Sequence, residues 1–589
     1  MALFTPSASP AVTVKEIDLT GVVPNVQTST GAFVGNFGWG PVGVATLVSD
    51  ESGLVSTFSA PTDENTVDFH SAAYFLKYSN SLLVVREQDS DGVNAVANHS
   101  SLGSLTAQAI NNLDAFENLS LDSSDGAFIA KYPGTIGNSL KVSVVGTDSA
   151  SGSSLNFDNW AYKSEFDAAP GTSKFVTDLG GSNDEIHVVV VDEDGEISGT
   201  AGTVLETFPF LSVAKNAKAS DGTSNYYKDV LKNRSNWVYS GDFHTGDSDS
   251  LSDFVGSNWG NNATTSGEDF ATGQNFSATQ STWSFASGVT SSSLGTDDVL
   301  RGFDKFEDKD NIEVDFLIAP ESIADATATT IVNDLVGIAG TTRKDCVAVA
   351  SPSRNAVITV GTNAGVLSCN NTYTKSSYLV QDNNYLKVFD KYNDKYIKIP
   401  ANSSTAGLMA ATDLVAAPWF SPAGSRRGRY VGITDIILSP TKAERDTLYK
   451  AGINPIANIP GEGIMLFGDK TNESRPSAFD RINVRRLFLG IERAIAIAGR
   501  NVMFEFNDEF TRAEFVNIVE PFLREIQGRR GITDFRVVCD ETNNTPAVVD
   551  RNEFIASIFI KPARSINFVT LNFVAVRTGV EFEEVVGTV

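Results

Sequence analysis

The first ninety residues alternate between strand-like and helix-like spacing of apolar side chains. Residues 32–37 and 42–48 have the composition of β-strands, and 82–86 is a short apolar run typical of a buried strand. Residues 68–78 place their apolar side chains on one face of a helix. This alternation predicts an α/β arrangement.

The middle of the chain has a more strand-like pattern. We predict two strands within 127–145, a hairpin over 186–197, and helices over 204–216 and 225–233. Residues 242–296 are rich in small polar residues but carry scattered aromatics, which predicts an irregular β surface region. Alternating units then resume, with a strand at 312–318, a helix at 324–336 and a strand at 346–350.

The C-terminal part has the clearest pattern. It predicts helices over 441–451, 482–498 and 511–527, and strands over 502–506, 535–539, 554–560 and 566–576. Thr441, three residues before Glu444, fits a capping box at the first helix. Pro521 lies inside the third helix, so we expect that helix to kink or divide there.

Each end of the chain carries a short β-prone arm. In 1–22, Val12 and Val14 lie on one face of a strand while Ile17 and Leu19 lie on the other, so the arm lacks a single buried face. In 577–589, Val580 and Phe582 alternate with Glu581 and Glu583, and Val585 follows as a further apolar candidate for pairing. An isolated strand leaves its backbone groups unpaired, so both arms are predicted to pair with a sheet edge in another chain.

Charge and composition narrow the class of protein. The 589 residues suggest about four domains at ~150 residues each. Acidic residues outnumber basic ones 72 to 45, which disfavours nucleic acid as a partner. Residues 421–589 hold 22 bases and 22 acids, so the first part carries all the excess negative charge. Two interpretations of this split stay open: a solvated acidic part, or a C-terminal part buried in an assembly.

Cysteine content and hydropathy indicate where the chain folds. Three cysteines in so long a chain cannot form a disulfide framework, which fits a reducing cytoplasm. Residues 1–14 contain no Lys or Arg, so we expect no export signal. No apolar run approaches the ~18 residues of a membrane span, so no membrane insertion is expected.

The sequence offers no catalytic constellation. Residues 463–471 resemble a phosphate-binding loop, but Asp469 stands where the lysine should follow the glycine, and its charge would repel phosphate. Cys539 precedes two acidic residues, which would raise its pKa, so we interpret it as a buried structural thiol. The four histidines are scattered. No enzyme activity, cofactor or metal is therefore predicted.

A series of short motifs occurs in order along the chain. They are GAFVG at 31–35, GP at 40–41, AKYPGTIGN at 130–138, PWFSPAG at 418–424, LY at 448–449, GINPI at 452–456, GDKT at 468–471, INVRRL at 482–487, FEFN at 504–507, CDETNN at 539–544 and IKPA at 560–563. Together they resemble the contractile tail sheath proteins of myovirus bacteriophages. Residues 242–296 match no motif of that family.

The resemblance implies a mechanical function. Such sheath proteins stack as hexameric rings around a tail tube and contract to drive the tube through the host envelope. Their partners would be further copies of the chain, the tail tube protein, and baseplate and tail terminator proteins. The implied location is the virion tail, after assembly in the host cytoplasm. By resemblance, a C-terminal helix would face the tube, through Arg512, Arg524, Arg529 and Arg530 of this chain.

The predicted fold class is a multidomain α/β (α+β) protein. Its inner domain would be a mixed sheet with flanking helices, built from both chain ends, with β-rich outer domains inserted. The predicted boundaries are an arm at 1–22, inner or middle domain at 23–90, insertions at 91–345, inner domain at 346–576 and an arm at 577–589.

Two alternative functions remain open. One is a sheath subunit of a contractile injection particle other than a phage. The other is a glycan-binding or glycan-cleaving surface protein that uses 242–296.

Overall fold

The fold is taken from a computed structural model that describes residues 29–97, 108–120, 126–147, 154–241, 258–264, 273–276, 280–291 and 294–566. Both predicted arms lie outside these ranges, as do most of 242–296 and the predicted strand at 566–576. The chain forms two compact units. We call the larger one, residues 27–417 and 422–482, the main unit, and the one containing 418–421 and 483–589 the C-terminal unit.

Strands and helices alternate along most of the chain. The described strands are β1 Gly31–Gly35, β2 Thr46–Val48, β3 Leu82–Arg86, β4 Asn94–Ala97, β5 Phe128–Pro133, β6 Leu140–Gly146, β7 Glu185–Asp192, β8 Thr203–Ser212, β9 Val238–Ser240, β10 Gln280–Ala286, β11 Phe316–Ile318, β12 Val347–Ala350, β13 Leu379–Asp382, β14 Tyr385–Asp390, β15 Lys395–Pro400, β16 Asp435–Ile436, β17 Ile453–Asn454, β18 Ile456–Ile459, β19 Gly463–Leu466, β20 Ile532–Val538 and β21 Ser557–Pro562. The described α-helices are α1 Glu51–Phe58, α2 Thr66–Leu76, α3 Leu113–Glu117, α4 Ser154–Asp158, α5 Lys174–Asp178, α6 Tyr227–Arg234, α7 Thr296–Asp304, α8 Asp325–Gly337, α9 Asn363–Thr372, α10 Asn402–Val415, α11 Lys442–Lys450, α12 Ile482–Arg500, α13 Glu509–Gly528 and α14 Pro546–Val549.

A seven-stranded sheet organises the main unit. Its order is β17-β13-β12-β11-β1-β3-β2, and all neighbours are parallel except β2, which is antiparallel to β3. On one face, Ala32 and Val34 pack with Phe303 of α7 and Leu335 of α8 in one apolar cluster. Helices α2 and α10 pack against the sheet and each other. The predicted α/β class with a mixed sheet is confirmed.

The strand order of this sheet also changes the predicted C-terminal boundary of the insertion at 91–345. Strand β11 lies between β1 and β12, so a strand from inside that range is central to the sheet. The inserted part ends earlier in the chain. Val93 and Val289 exchange two backbone hydrogen bonds, with N–O distances of 3.1 and 3.0 Å, so the two ends of the insertion lie side by side.

The insertion folds around a second seven-stranded sheet. Its order is β8-β7-β6-β10-β4-β5-β9, and all its ladders are antiparallel. The predicted helix at 204–216 is wrong, because 203–212 is the strand β8, paired with β7. The four valines 188–191 of β7 are all buried, and β8 supplies the ladder partners that this interior strand needs. Pro209 is tolerated because β8 is at the edge of the sheet.

These boundaries predict which deletion the fold tolerates. Deleting 94–288, with a short Gly-Ser linker from residue 93 to 289, keeps every strand of the parallel sheet. We expect this variant to fold, provided that Trp39, which packs edge-to-face on Tyr132 and at a tilt on Trp237 of the insertion, is also changed to serine. Deleting 91–345 removes β11 and should give an unfolded or aggregated chain. Circular dichroism and size-exclusion chromatography of both variants test this, and equal behaviour would contradict it.

A buried polar contact joins α2 to the hairpin β14–β15. His70 Nε2 lies 3.1 Å from Asp390 Oδ1, and both side chains are almost fully buried. Burial lowers the pKa of His70, outweighing the opposite effect of Asp390. Burial raises the pKa of Asp390, but hydrogen bonds from Asn393, Thr66 and the Tyr392 amide hold it well below its usual range.

The lowered pKa of His70 predicts acid sensitivity. The unfolded chain takes up this proton near pH 6.5 more readily than the folded protein, so stability falls as the pH drops through that value. His70→Gln should reduce the loss of folding stability between pH 7.5 and 5.5. The reduction is at most about 1.4 kcal/mol per pH unit, which is the limit for one proton. Guanidinium unfolding at a series of pH values measures it. A wild-type-to-variant difference that does not change with pH would refute this role.

Candidate assembly surface

The described residues of the C-terminal unit share one apolar core. One face of α13, carrying Phe515, Val519, Leu523 and Ile526, packs with α12 and the inner face of β20–β21. The predicted helices at 482–498 and 511–527 are present in the structure. Helix α13 continues through Pro521 as one helix. Pro521 and Asn517 are both exposed, so water can reach the carbonyl that loses its amide partner.

The hairpin β20–β21 is a two-stranded sheet. Its ladder runs from Ile532 opposite Pro562 to Val538 opposite Ser557. One face is covered by the helices, with Phe535 and Ile560 packed against the core, while Phe559 on the other face is 60% exposed. Within the described residues, no third strand pairs with either outer edge. The edges are seven and six residues long, whereas the edge strands β2 and β17 of the parallel sheet have three and two.

Open edges of this length are unusual in a protein that does not use them. Natural sheets shorten, charge or cover their edges, because unpaired N–H and C=O groups invite pairing with another chain. The hairpin also needs more strands than two to be stable apart from its helices. Its edges are therefore the best candidate surface for association with other chains.

The CDETNN motif closes the connection between the two strands. Asn544, which is 3% exposed, donates to the Ile555 carbonyl at 2.8 Å and accepts from the Ile555 amide at 2.9 Å. Asn543 donates to the Val538 carbonyl and to Ser557 Oγ. Asp540 accepts from the amide and hydroxyl of Thr542. Burial raises the pKa of Cys539, in line with the structural thiol predicted from the sequence.

The four arginines predicted to face a tube lie on or just after α13. Arg524 pairs with Glu520 at 3.2 Å, and Arg529 pairs with Glu525 at 3.6 Å and lies over the Trp419 ring. Arg524, Arg529 and Arg530 are exposed near the end of the helix. Arg512 is half-buried, about 18 Å along the axis from Arg524 and about 120° around it. The structure therefore groups three of the four, and a tube contact stays a prediction.

The predicted strand-adding residues fall outside the described ranges. They are Val12, Val14, Ile17, Leu19, Val580, Phe582 and Val585. Their pairing stays a prediction.

One predicted element of this unit is wrong. Residues 502–506 form turns, not a strand, with amides of Val502, Met503 and Glu505 each donating to the carbonyl three residues earlier. Phe504 has φ of +72°, which no strand accommodates. Phe504 and Phe506 are 101% and 84% exposed. The alternating apolar pattern had suggested a strand, but the pattern alone cannot show whether a partner strand is available.

The GDKT motif, which resembles part of a phosphate-binding loop in sequence, has a structural role. Asp469 accepts from Tyr449 Oη at 3.0 Å and from Arg481 Nη1 at 2.9 Å, and its carbonyl accepts from the Ile482 amide at 2.8 Å. The motif thus ties α11 to residues 481–482 within the main unit. The charge of Asp469 had argued against phosphate binding, but these hydrogen-bond partners were not predicted, because they lie 12 and 20 residues away along the chain.

The described residues contain neither a metal-binding cluster nor a membrane-spanning helix. Among these residues, no group of three or more His, Cys, Asp or Glu side chains is placed to hold a metal ion. No helix of the described ranges is long and apolar enough to cross a membrane.

Within the described residues, the chain combines an α/β main unit with a hairpin whose outer edges have no partner strand, an arrangement typical of proteins built for assembly. The family description "Phage tail sheath protein central domain" matches residues 293–472, and "Phage tail sheath C-terminal domain" matches 474–575. The tail sheath protein of Vibrio phage KVP40 is 32% identical, covering 98% of this chain and 99% of the relative. That of Enterobacteria phage T4 is 31% identical over the same shares. The chain belongs to the phage tail sheath protein family, which confirms the resemblance.

A solved structure shows the same fold. A sheath tail protein from Listeria innocua, known from a crystal structure, superposes with a TM-score of 0.52 at 12% identity. The match covers 91% of this chain and 96% of that one.

The Asn544 contacts predict local stability of the hairpin loop. Asn544→Ala removes both bonds to Ile555, so local opening should become easier by about 1–2 kcal/mol. We expect the Ile555 amide to exchange roughly tenfold faster in hydrogen-exchange measurements. Thr542→Ala, which removes a hydroxyl from the exposed side of the same loop, is the control and should leave that amide unchanged. Equal exchange in Asn544→Ala and the wild type would disprove the role.

Proposed function

We propose that this chain is the structural subunit of a contractile phage tail sheath. Copies stack as hexameric rings around the tail tube, and contraction of the sleeve drives the tube through the host envelope. The role is mechanical and not enzymatic. The subunit is a component of the virion tail, assembled in the host cytoplasm together with tube, baseplate and tail terminator proteins. Membership of the family supports this, and the observation that carries it is the open hairpin β20–β21.

The arms of neighbouring copies complete the hairpin. An added strand satisfies backbone donors and acceptors along an edge, so it gives affinity without needing a deep pocket. An arm that pairs with an edge on another copy makes a contact between two different surfaces. Contacts of that kind generate closed rings when the rotation between copies closes, and helical polymers when it does not.

The terminal arms therefore supply a direct test. Deleting 577–589 or 1–22 should leave a folded subunit that no longer forms stable sleeves, because each arm supplies a different connection. Electron microscopy of the purified variants, with circular dichroism to confirm folding, measures the outcome. Full-length contractile sleeves from either truncation would overturn the proposal.

The alternation of the C-terminal arm offers a matched pair of variants. Val580→Glu with Phe582→Glu alters the apolar face of the predicted strand and should abolish sleeves. Glu581→Gln with Glu583→Gln changes the opposite face and should not. Equal assembly of both variants would mean that the arm does not bind as a half-buried strand.

We also propose that Arg512, Arg524, Arg529 and Arg530 face the tube. Exposed guanidinium groups give a contact that salt screens over about 10 Å at 0.1 M, which suits a sleeve that must release its tube. The quadruple Glu variant should fold and polymerise but fail to form extended tails on tubes. Lys442→Glu with Lys450→Glu, at exposed sites on α11 and outside both α13 and the hairpin, is the control. Normal extended tails from the quadruple variant would eliminate the idea.

A further inference from the structure

The loop between α12 and α13 exposes an unusual amount of apolar surface. We call residues 503–510 the phenylalanine loop. Its large side chains Met503, Phe504, Phe506 and Phe510 are 58, 101, 84 and 76% exposed. Four such side chains within eight residues exceed the scattered exposure that is normal for a surface, and contiguous apolar patches mark interaction sites.

The loop is held in place by its polar residues. Asn507 Nδ2 donates to the Glu553 carbonyl at 2.8 Å and to Asn544 Oδ1 at 3.2 Å. Asp508 caps α13 by accepting from the Thr511 amide at 2.9 Å. Phe504 keeps its left-handed backbone, a conformation that costs energy for a bulky residue. The aromatic side chains are thus presented from a fixed turn, which lowers the entropy lost on binding.

The surroundings of the loop are acidic. Residues 503–514 contain four acidic side chains and one basic one, Arg512. Glu505 and Glu509 are exposed. A partner for this surface therefore needs positive charge as well as apolar or planar groups.

A turn in the main unit has the matching chemistry. We call residues 424–429 the arginine turn, since they carry Arg426, Arg427 and Arg429 and no acid. Backbone bonds fix it: the Gly428 amide donates to the Gly424 carbonyl at 2.7 Å, and the Leu466 amide donates to the Gly428 carbonyl at 2.8 Å. Arg426 and Arg429 are exposed, and their side chains make no hydrogen bond or ion pair within the described ranges.

We propose that the phenylalanine loop of one copy docks on the arginine turn of a second copy. Arginine stacks its planar guanidinium on aromatic faces, and it pairs with carboxylates such as Glu505 and Glu509 beside those rings. The loop is acidic and the turn is basic, so the charges of the two surfaces are complementary. The contact rests on the proposed function in that it needs copies assembled side by side. It is separate from strand addition, because it uses neither arm.

Disulfide trapping between copies tests the contact. The three native cysteines are buried, so new surface cysteines react selectively. Copies carrying Phe504→Cys are mixed with copies carrying Arg426→Cys, assembled and oxidised. A covalent dimer that needs both variants supports the contact, and Phe504→Cys mixed with Arg475→Cys is the control. Assemblies without that dimer, or trapping of Phe504→Cys on a cysteine-substituted tube protein instead, would overturn it.

Loss of the aromatic side chains gives a second measurement. Phe504→Ser with Phe506→Ser should raise the concentration needed for polymerisation at least about tenfold, as truncation of interface aromatics does. Phe389→Ser with Tyr396→Ser removes another exposed aromatic pair and is the control. Equal polymerisation of wild type and the Phe504/Phe506 variant overturns the docking contact alone. Failure of the wild type to polymerise under any condition would instead contradict the proposed function.

Discussion

The edges of the β20–β21 hairpin, which have no partner strand within the described residues, set the main constraint on this molecule. One face of the hairpin is fixed to α12 and α13 by a shared core, so the hairpin cannot turn away or fold its edges inward. Within the described ranges, backbone donors and acceptors along both outer edges have no strand partner. In the proposed sheath, strands from other copies pair with these edges.

The parallel sheet of the main unit meets the same requirement inside the chain. Its outermost strands are short, and β2 is antiparallel to its neighbour, so little edge is available for pairing. The sheet joins β1 and β3 from the start of the chain to β11, β12, β13 and β17 from far downstream. Because the ends of the insertion lie side by side at Val93 and Val289, a large β domain can be accommodated without disturbing the strands between which it is inserted.

The sequence predicted elements with strong local signals and missed those decided by distant partners. Capping residues and apolar faces predicted α11, α12 and α13, since Thr441 with Glu444 and the Phe515 to Ile526 face act locally. The β8 strand was predicted as a helix, because the pairing that decides it comes from β7. Residues 502–506 were predicted as a strand, although Phe504 takes a left-handed conformation that no pattern signals.

The helix α10 and the strands β13–β15 were not predicted. The tube-facing arginines rested on the family resemblance, whereas the arms were predicted from strand phase, and the arginine turn is defined by side-chain exposure that no sequence pattern gives.

Hydrogen exchange in the β20–β21 hairpin tests the central claim most directly. The amides that point away from the partner strand should exchange freely in the isolated subunit and become strongly protected in assembled sleeves. The amides between β20 and β21 should be protected in both states and serve as the internal reference. Outward-pointing amides that exchange equally fast in sleeves and in isolated subunits would contradict completion of the sheet by neighbouring chains.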